Sequence, residues 1–379
     1  MILISLFLLT LAFSYVLNAV LINYAGRLGQ LSQGVTTQVR WASTSKPLVG
    51  GIAFFILFLI GAVVYTLIPH TAAYEASENY LPFLLAVTLG FLVGLADDAY
   101  TTRPLLKFIG QLGCGFILLG FGIQIHLFNH ALADGMLTML WVVGLMNSIN
   151  MLDNMDGVTG STSLVIVFFT LMAMYLTGQT SNVFFYLFVG IAGSLAGFLI
   201  LNWHPSKLYM GDTGSQFLGA ILAYAGIVYF WNIHQVVPAA AGVPQVVLPL
   251  LVFLMPILDT AFVSVARLRR GQSPFVGGRD HTTHHLCHFG VPQAWVPLVF
   301  GLAGSIGGGA ALLMIWASLF NITDALMLLS VPITVFGIFL YIYQRGLAKS
   351  KVRQMKAHAP IVSLGKDEPR QAALAVSAR

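Results

Sequence analysis

The sequence predicts an all-α protein that crosses a membrane about eleven times, and three observations lead there. Of its 379 residues, 58% are hydrophobic and 8% are charged, where a soluble domain carries about a quarter charged residues. The apolar residues gather in runs of about 20, not in the short alternating segments of a membrane barrel. Lys and Arg fall in alternate loops only. Together these features exclude a water-soluble globule, a disordered chain and a secreted disulfide scaffold.

Candidate spans cover residues 2–24, 49–68, 81–97, 105–123, 136–153, 160–177, 183–201, 214–231, 246–267, 293–316 and 326–344. Each suits a helix crossing about 30 Å of hydrocarbon. The first has no basic segment ahead of it and is long enough to span, so a retained helix is expected there instead of a secretory signal. An odd number of spans puts the termini on opposite sides. One loop set is 25–48, 98–104, 154–159, 202–213, 268–292 and the segment from 345; it holds all 18 Lys and Arg within it or at its margins, Lys107 included. The other set holds His70, Glu75, Glu78, His126, His130, Asp134, His234 and Asp324. The positive-inside rule makes the first set cytoplasmic and the N-terminus external. The chain then divides into a transmembrane catalytic domain, 1–344, and a basic cytoplasmic tail, 345–379, whose Lys349, Lys351, Arg353 and Lys356 suit anionic headgroups. Cys114 and Cys287 lie in unlike surroundings and form no disulfide framework.

With charge so scarce, its placement is informative. Ionisable groups within spans cost a few kcal/mol on insertion scales, so they are functional candidates. Four groups collect at cytoplasmic span ends. Asp97-Asp98 is followed by Lys107; helix neighbours point about 100° apart, so one ligand plus one base or orienting group is expected. Asn147, Asn150, Asp153 and Asp156 recur at every third position, on a helix expected to end at Gly157 and Gly160. Amides such as Asn147 also suit bonds between helices. Asn202, Pro205 and Lys207 precede Tyr209-Met210-Gly211-Asp212-Thr213-Gly214-Ser215, which opens the eighth span; the plain alternative is that Asp212 or Ser215 caps that helix. Finally come Asp259, Arg267, Arg269, Arg270, Arg279, Asp280, His281, His284, His285 and His288. These read as phosphate donors, as a zinc site with Cys287, or as an ordinary basic loop.

Five carboxylates, Asp97, Asp98, Asp153, Asp156 and Asp212, thus share one membrane face with Lys107, Lys207 and an Arg/His loop. Carboxylates that hold a hard divalent cation, beside cations that neutralise phosphate oxygens, point to a bound di- or polyphosphate.

The chain resembles the polyprenyl-phosphate N-acetylhexosamine-1-phosphate transferases. The resemblance runs in order from about residue 40 to 290: Lys46-Pro47-x-x-Gly50-Gly51; Asp97-Asp98 with Lys107 and Gln111; Asn147-x-x-Asn150-x-x-Asp153-x-x-Asp156-Gly157; Asn202 to Ser215; and Pro256-x-x-Asp259 followed by Arg267 and the histidines. Departures are Asn154 where the family commonly has Gly, Thr101 for an acid, Tyr209 for Phe, and His281-x-x-His284-His285 for His-x-His-His. The histidine-rich signature of the branch that makes the first peptidoglycan lipid is not evident, which favours the branch using UDP-GlcNAc or a related UDP-N-acetylhexosamine.

The resemblance implies transfer of N-acetylhexosamine 1-phosphate from a UDP-sugar to undecaprenyl phosphate at the cytoplasmic face of a bacterial inner membrane, releasing UMP. This is the first membrane step of a cell-envelope glycan pathway. It implies Mg²⁺ or Mn²⁺ with Asp212 and Asp97 as ligands, and Asp97, Asp98, Asp212 and Lys107 as the catalytic set. Asn147, Asn150, Asp153, Asp156 and Lys207 would hold the nucleotide sugar, Tyr209 the uracil, and Arg279, His281, His284 and His285 the pyrophosphate. Expected partners are UDP-N-acetylhexosamine, undecaprenyl phosphate and the bilayer, with a homodimer left open and nucleic acid excluded. The runner-up is the phospho-MurNAc-pentapeptide branch. A cation-coupled transporter is disfavoured because its site belongs near the midplane.

Overall fold

The computed structural model describes residues 1–27, 46–67, 79–236, 245–273, 280–319 and 330–358. Arg279, most of the 25–48 loop and the tail beyond 358 lie outside the described residues. Fourteen α-helices occur among them. They are α1 (Ile2–Arg27), α2 (Gly50–Leu67), α3 (Tyr80–Tyr100), α4 (Pro104–Gly120), α5 (Ala131–Leu152), α6 (Val158–Leu176), α7 (Val183–Asn202), α8 (Gly211–Gly226), α9 (Ile233–Val236), α10 (Val247–Val252), α11 (Leu254–Arg269), α12 (Thr282–Phe289), α13 (Val296–Leu319) and α14 (Ser330–His358). A parallel bridge pairs Leu48 with Tyr209.

Eight of the described helices are long and apolar enough to cross a membrane, and Gly50–Val64 and Pro104–Gly120 are shorter apolar helices. Among the described residues each sequence-predicted span falls mainly on helix, but the expected span 246–267 is two pieces, α10 and α11, broken at Phe253. The reason is Pro256, which has no N–H to return to the Val252 carbonyl. The last helix also runs past the expected end at 344, to His358.

α8 is the axis of the bundle. Every residue of it is buried except Asp212. α3 and α5 pack along it, α1 rests on α7, and α6 on α13. Close approach at the start of α8 depends on missing side chains. A Cβ at Gly94 of α3 would strike the Asp212 carbonyl, and one at Gly51 of α2 would strike the Gly214 amide. The main chain carrying Asp212 is therefore wedged between two helices.

The row 147–156 is not one helix, contrary to the expectation from its spacing. α5 stops at Leu152, residues 153–157 turn, and Gly157, at φ +75°, precedes α6. Asn154 explains the stop: its side chain donates to the Met151 carbonyl at 2.9 Å, competing with the helical ladder. Gly160 lies inside α6 and ends nothing.

Candidate active site

Lys107 is the centre of the polar cluster. Its Nζ donates to Asp97 Oδ2 at 2.8 Å, Asn150 Oδ1 at 3.0 Å and Asp212 Oδ2 at 3.1 Å. The three acceptors come from α3, α5 and α8, and the donor from α4. Asn150 Nδ2 donates in turn to Asp212 Oδ1 at 2.5 Å and to Ser215 Oγ at 2.8 Å. Asp97 also accepts on Oδ1 from the Thr102 amide and hydroxyl, at 3.0 and 2.6 Å, just past the end of α3. One oxygen of Asp97 thus closes its own helix end while the other faces the lysine.

Asp98 is arranged differently. Its Oδ1 accepts from the Asp212 amide at 2.9 Å, and its Oδ2 from the Thr213 amide at 2.9 Å and hydroxyl at 2.6 Å. Both oxygens cap the first turn of α8, where unpaired N–H groups need acceptors. The cap expected from Asp212 or Ser215 is supplied by Asp98 instead. Both its oxygens serve the backbone, which departs from its expected place in the catalytic set and makes it the orienting member of the pair. Gly211, at φ +73°, admits this contact, since a Cβ there would meet the Asp98 carboxylate.

Asp156 is also a brace. It accepts from the Ser206 amide at 3.0 Å, the Ser206 hydroxyl at 2.7 Å and His204 Nδ1 at 3.0 Å, with Lys46 Nζ 3.6 Å away. Burial would raise this carboxyl, but the Ser206 bonds, His204 and Lys46 outweigh it and hold it below the ordinary carboxylate range. Lys46 also donates to Ser206 Oγ at 2.8 Å and lies 5.1 Å from the Tyr209 ring centroid. Asn202 completes the brace, accepting from the Gly157 amide and donating to the Leu208 carbonyl. Lys207 is exposed on this loop, and Asp153 is half-buried at the end of α5. Asn147 pairs with Gln111 one turn deeper, in an amide contact between helices. Asn147 and Asp156 are therefore engaged by protein, where substrate contact was expected, because spacing alone does not say which way a polar side chain turns.

The histidine segment docks as a unit. Asp259 accepts from the Thr282 amide at 2.7 Å and contacts His281 Nδ1 at 2.9 Å. Asp280 pairs with Arg270 and Arg267, at 2.8 and 3.4 Å. Thr283 Oγ1 donates to Asn154 Oδ1 at 2.5 Å, joining α12 to the turn after α5. His285 sits edge-on to Tyr343 of α14, with ring centroids 4.4 Å apart, and neither of its ring nitrogens has a hydrogen-bond partner among the described residues. Burial, reinforced by neighbouring histidines, pushes His284 down to about 3 and His285 to about 4. Near neutral pH both are then neutral, and a neutral imidazole still offers one N–H donor.

No group of three or more His, Cys, Asp and Glu suited to a metal occurs among the described residues, and the zinc reading finds no support there. The oxygen set of Asp97, Asp212 and Asn150 nevertheless converges on a cation, the Lys107 ammonium, and hard oxygen donors of this kind suit Mg²⁺. In donor chemistry the site fits a hard divalent ion, with two carboxylates available to it.

The profile of glycosyl transferase family 4 matches residues 80–230. A probable undecaprenyl-phosphate N-acetylglucosaminyl 1-phosphate transferase of Bacillus subtilis is 27% identical over 349 residues, covering 88% of this chain and 91% of that protein. A decaprenyl-phosphate N-acetylglucosaminephosphotransferase of Mycobacterium tuberculosis is 29% identical, covering 74% and 77%. A phospho-N-acetylmuramoyl-pentapeptide-transferase of Staphylococcus aureus is 32% identical, covering 58% and 74%. The chain belongs to glycosyl transferase family 4, the polyprenyl-phosphate N-acetylhexosamine-1-phosphate transferases. The stretch that matches the family profile carries Asp97, Lys107, Asn150 and Asp212, so the whole lysine-centred cluster of this transferase lies inside it. The residues that sequence reasoning left out of the site are the partners that fix it: Thr102, Thr213, Ser206 and His204. Their only signal was position, beside or within a motif.

Proposed function

We propose that this chain transfers N-acetylhexosamine 1-phosphate, with GlcNAc 1-phosphate as first choice, from a UDP-sugar to undecaprenyl phosphate, releasing UMP. The observation that carries the reading is the convergence of Asp97, Asn150 and Asp212 on Lys107, contributed by four helices. The two relatives named for GlcNAc phosphate transfer align over 88% and 74% of the chain, against 58% for the muramoyl-pentapeptide relative. Phosphoryl transfer asks a protein mainly for positioning and charge neutralisation. A lysine held by two carboxylates and an amide is placed to give its protons to a phosphate oxygen and to take up those acceptors again afterwards. The acceptor lipid phosphate has a second pKa around 6, as a phosphoserine does, and needs little help to ionise.

Asp212 and Asp97, with the Asn150 oxygen beside them, would hold Mg²⁺ or Mn²⁺. When bound, such an ion would supply neutralisation of negative charge on the substrate's phosphates. Tyr209, beside Lys46, is placed in this reading at the uracil, and Asp153 and Lys207 at the nucleotide. Arg279 and His281 are assigned to the pyrophosphate. The topology proposed is eleven crossings of a bacterial inner membrane, with the N-terminus outside and the site on the cytoplasmic face.

The test is conversion of labelled UDP-GlcNAc, UDP-GalNAc and UDP-MurNAc-pentapeptide with undecaprenyl phosphate by membranes holding the protein. UDP-GlcNAc is expected to be used best, and only with divalent metal. Preference for the pentapeptide would move the chain to the runner-up branch, which the 32% identity of its S. aureus relative keeps in view. Equal product in EDTA would remove the metal.

A further inference from the structure

The first turns of α4 have to hold Lys107 in place with little apolar anchorage, since Cys114 and Leu118 enter the core only further along the helix. Leu105, Leu106, Phe108 and Ile109 are exposed, and the first buried side chain of the helix is Gln111. Lys107 precedes Gln111 by four residues, on the same face. Apolar packing gives little driving force against lipid tails, so bonds between helices set positions there. Gln111 makes three. Its Nε2 donates to Asn147 Oδ1 at 3.1 Å and to Gln216 Oε1 at 3.0 Å, and its Oε1 accepts from Asn147 Nδ2 at 2.8 Å. Gln111 and Gln216 are 1% and 0% exposed. Three helices thus each give one residue to the lysine layer and one to a neutral amide layer: Lys107 and Gln111 from α4, Asn150 and Asn147 from α5, Asp212 and Gln216 from α8.

We propose that the Gln111–Asn147–Gln216 amide layer is a positioning device that holds Lys107 against Asp97 and Asp212, and that Asn147 acts there and not on the nucleotide sugar. The proposal rests on the transferase reading. A reciprocal amide pair fixes α4 on α5 without adding a charge that would compete for the lysine. Asn147 Nδ2 donates as well to the Val143 carbonyl at 2.9 Å, so its amide has no freedom to turn toward a ligand. Misplacement by about 1 Å is enough to cost about 100-fold in rate.

The test uses the full-length protein in lipid, with kcat and KM measured for the best UDP-sugar. Gln111→Leu and Asn147→Leu are each expected to lower kcat about 10–100-fold while leaving KM within about twofold. The exchange Gln111→Asn with Asn147→Gln conserves total side-chain length and the reciprocal pair. It is expected to recover most of the rate lost by either change alone. Wild-type kcat in Gln111→Leu, a raised KM with unchanged kcat in Asn147→Leu, or an exchange no better than its single components would each overturn the proposal. Should the leucine variants fail to accumulate in membranes, the exchange and its two single components carry the test. A wild-type protein inactive on every UDP-N-acetylhexosamine would instead bring down the transferase reading itself.

Discussion

Polar side chains are buried at both ends of the bundle, and the two ends use them differently. At one end, Asn232 donates to the Gln124 carbonyl at 2.7 Å and accepts from the His126 amide at 3.0 Å. Asp134 there accepts from the amides of Leu127 and Phe128, at 3.1 and 2.8 Å. All four bonds close on main chain. At the other end, Lys107, Asp97, Asn150 and Asp212 close on one another. Side chains that satisfy backbone stabilise a loop, whereas side chains that satisfy each other can exchange those partners for a ligand. By this criterion Asp98, whose two oxygens both accept from the main chain of α8, belongs with the first kind, although it lies beside the second. The transporter reading also suffers, since Asp134, the acid of the far end among the described residues, is tied into loop structure.

The largest effect that would break the contrast is at Asp212. Asp212→Asn is expected to insert normally and to lose about 100–1,000-fold of transfer, because it weakens the hold on the cations that stabilise transition-state charge; near-normal turnover would take it out of the site. Asp98→Ala comes next. It uncaps α8 and is expected to slow transfer about 10–100-fold through the displaced Asp212, with about 1 kcal/mol of stability lost. Asp98→Asn, which keeps an acceptor oxygen, should fall between Ala and wild type, whereas a base at this position requires Asn to be as poor as Ala. At the far end, Asp134→Ala strands two amides and is expected to lower stability by about 1–3 kcal/mol, measured by thermal denaturation, with the rate per folded molecule unchanged.

The smallest effect concerns pH. His284 and His285 fold with pKa values of about 3 and 4, below an unfolded value near 6.5. The unfolded chain therefore binds more protons below pH 6.5, and stability falls as pH drops from there toward 4. The slope is at most about 1.4 kcal/mol per pH unit for each histidine. His284→Gln with His285→Phe should flatten it, and an unchanged slope in that variant would place the titrating groups elsewhere.

Much of the architecture was legible because a bilayer imposes one length on every crossing, so apolar runs mark helices whatever their neighbours do. Asp97, Lys107 and Asp212 were legible because ionisable groups are costly at these depths and need a reason, and Asn150 because it recurs with acids at every third position. What stayed hidden was direction. Asp98 and Asp97 are adjacent acids, yet one caps α8 and the other faces the lysine, a distinction set by where α8 begins in space. The period of three from Asn147 to Asp156 looked helical because Asn154, which ends α5 by bonding back to Met151, is an ordinary polar residue in the sequence. Pro256 could have warned of the break at Phe253, since a proline always removes one rung.

α4 has 17 residues, about 25 Å of helix, which falls short of the roughly 30 Å hydrocarbon slab. Either the leaflet thins around it or its polar start is drawn below the headgroups. In both cases Lys107 sits at a dimple in the membrane surface, and under the proposed function the lipid phosphate reaches it there. The thickness of the surrounding lipid then becomes a parameter of the reaction, acting through a site helix whose first turns carry the exposed apolar side chains Leu105, Leu106, Phe108 and Ile109.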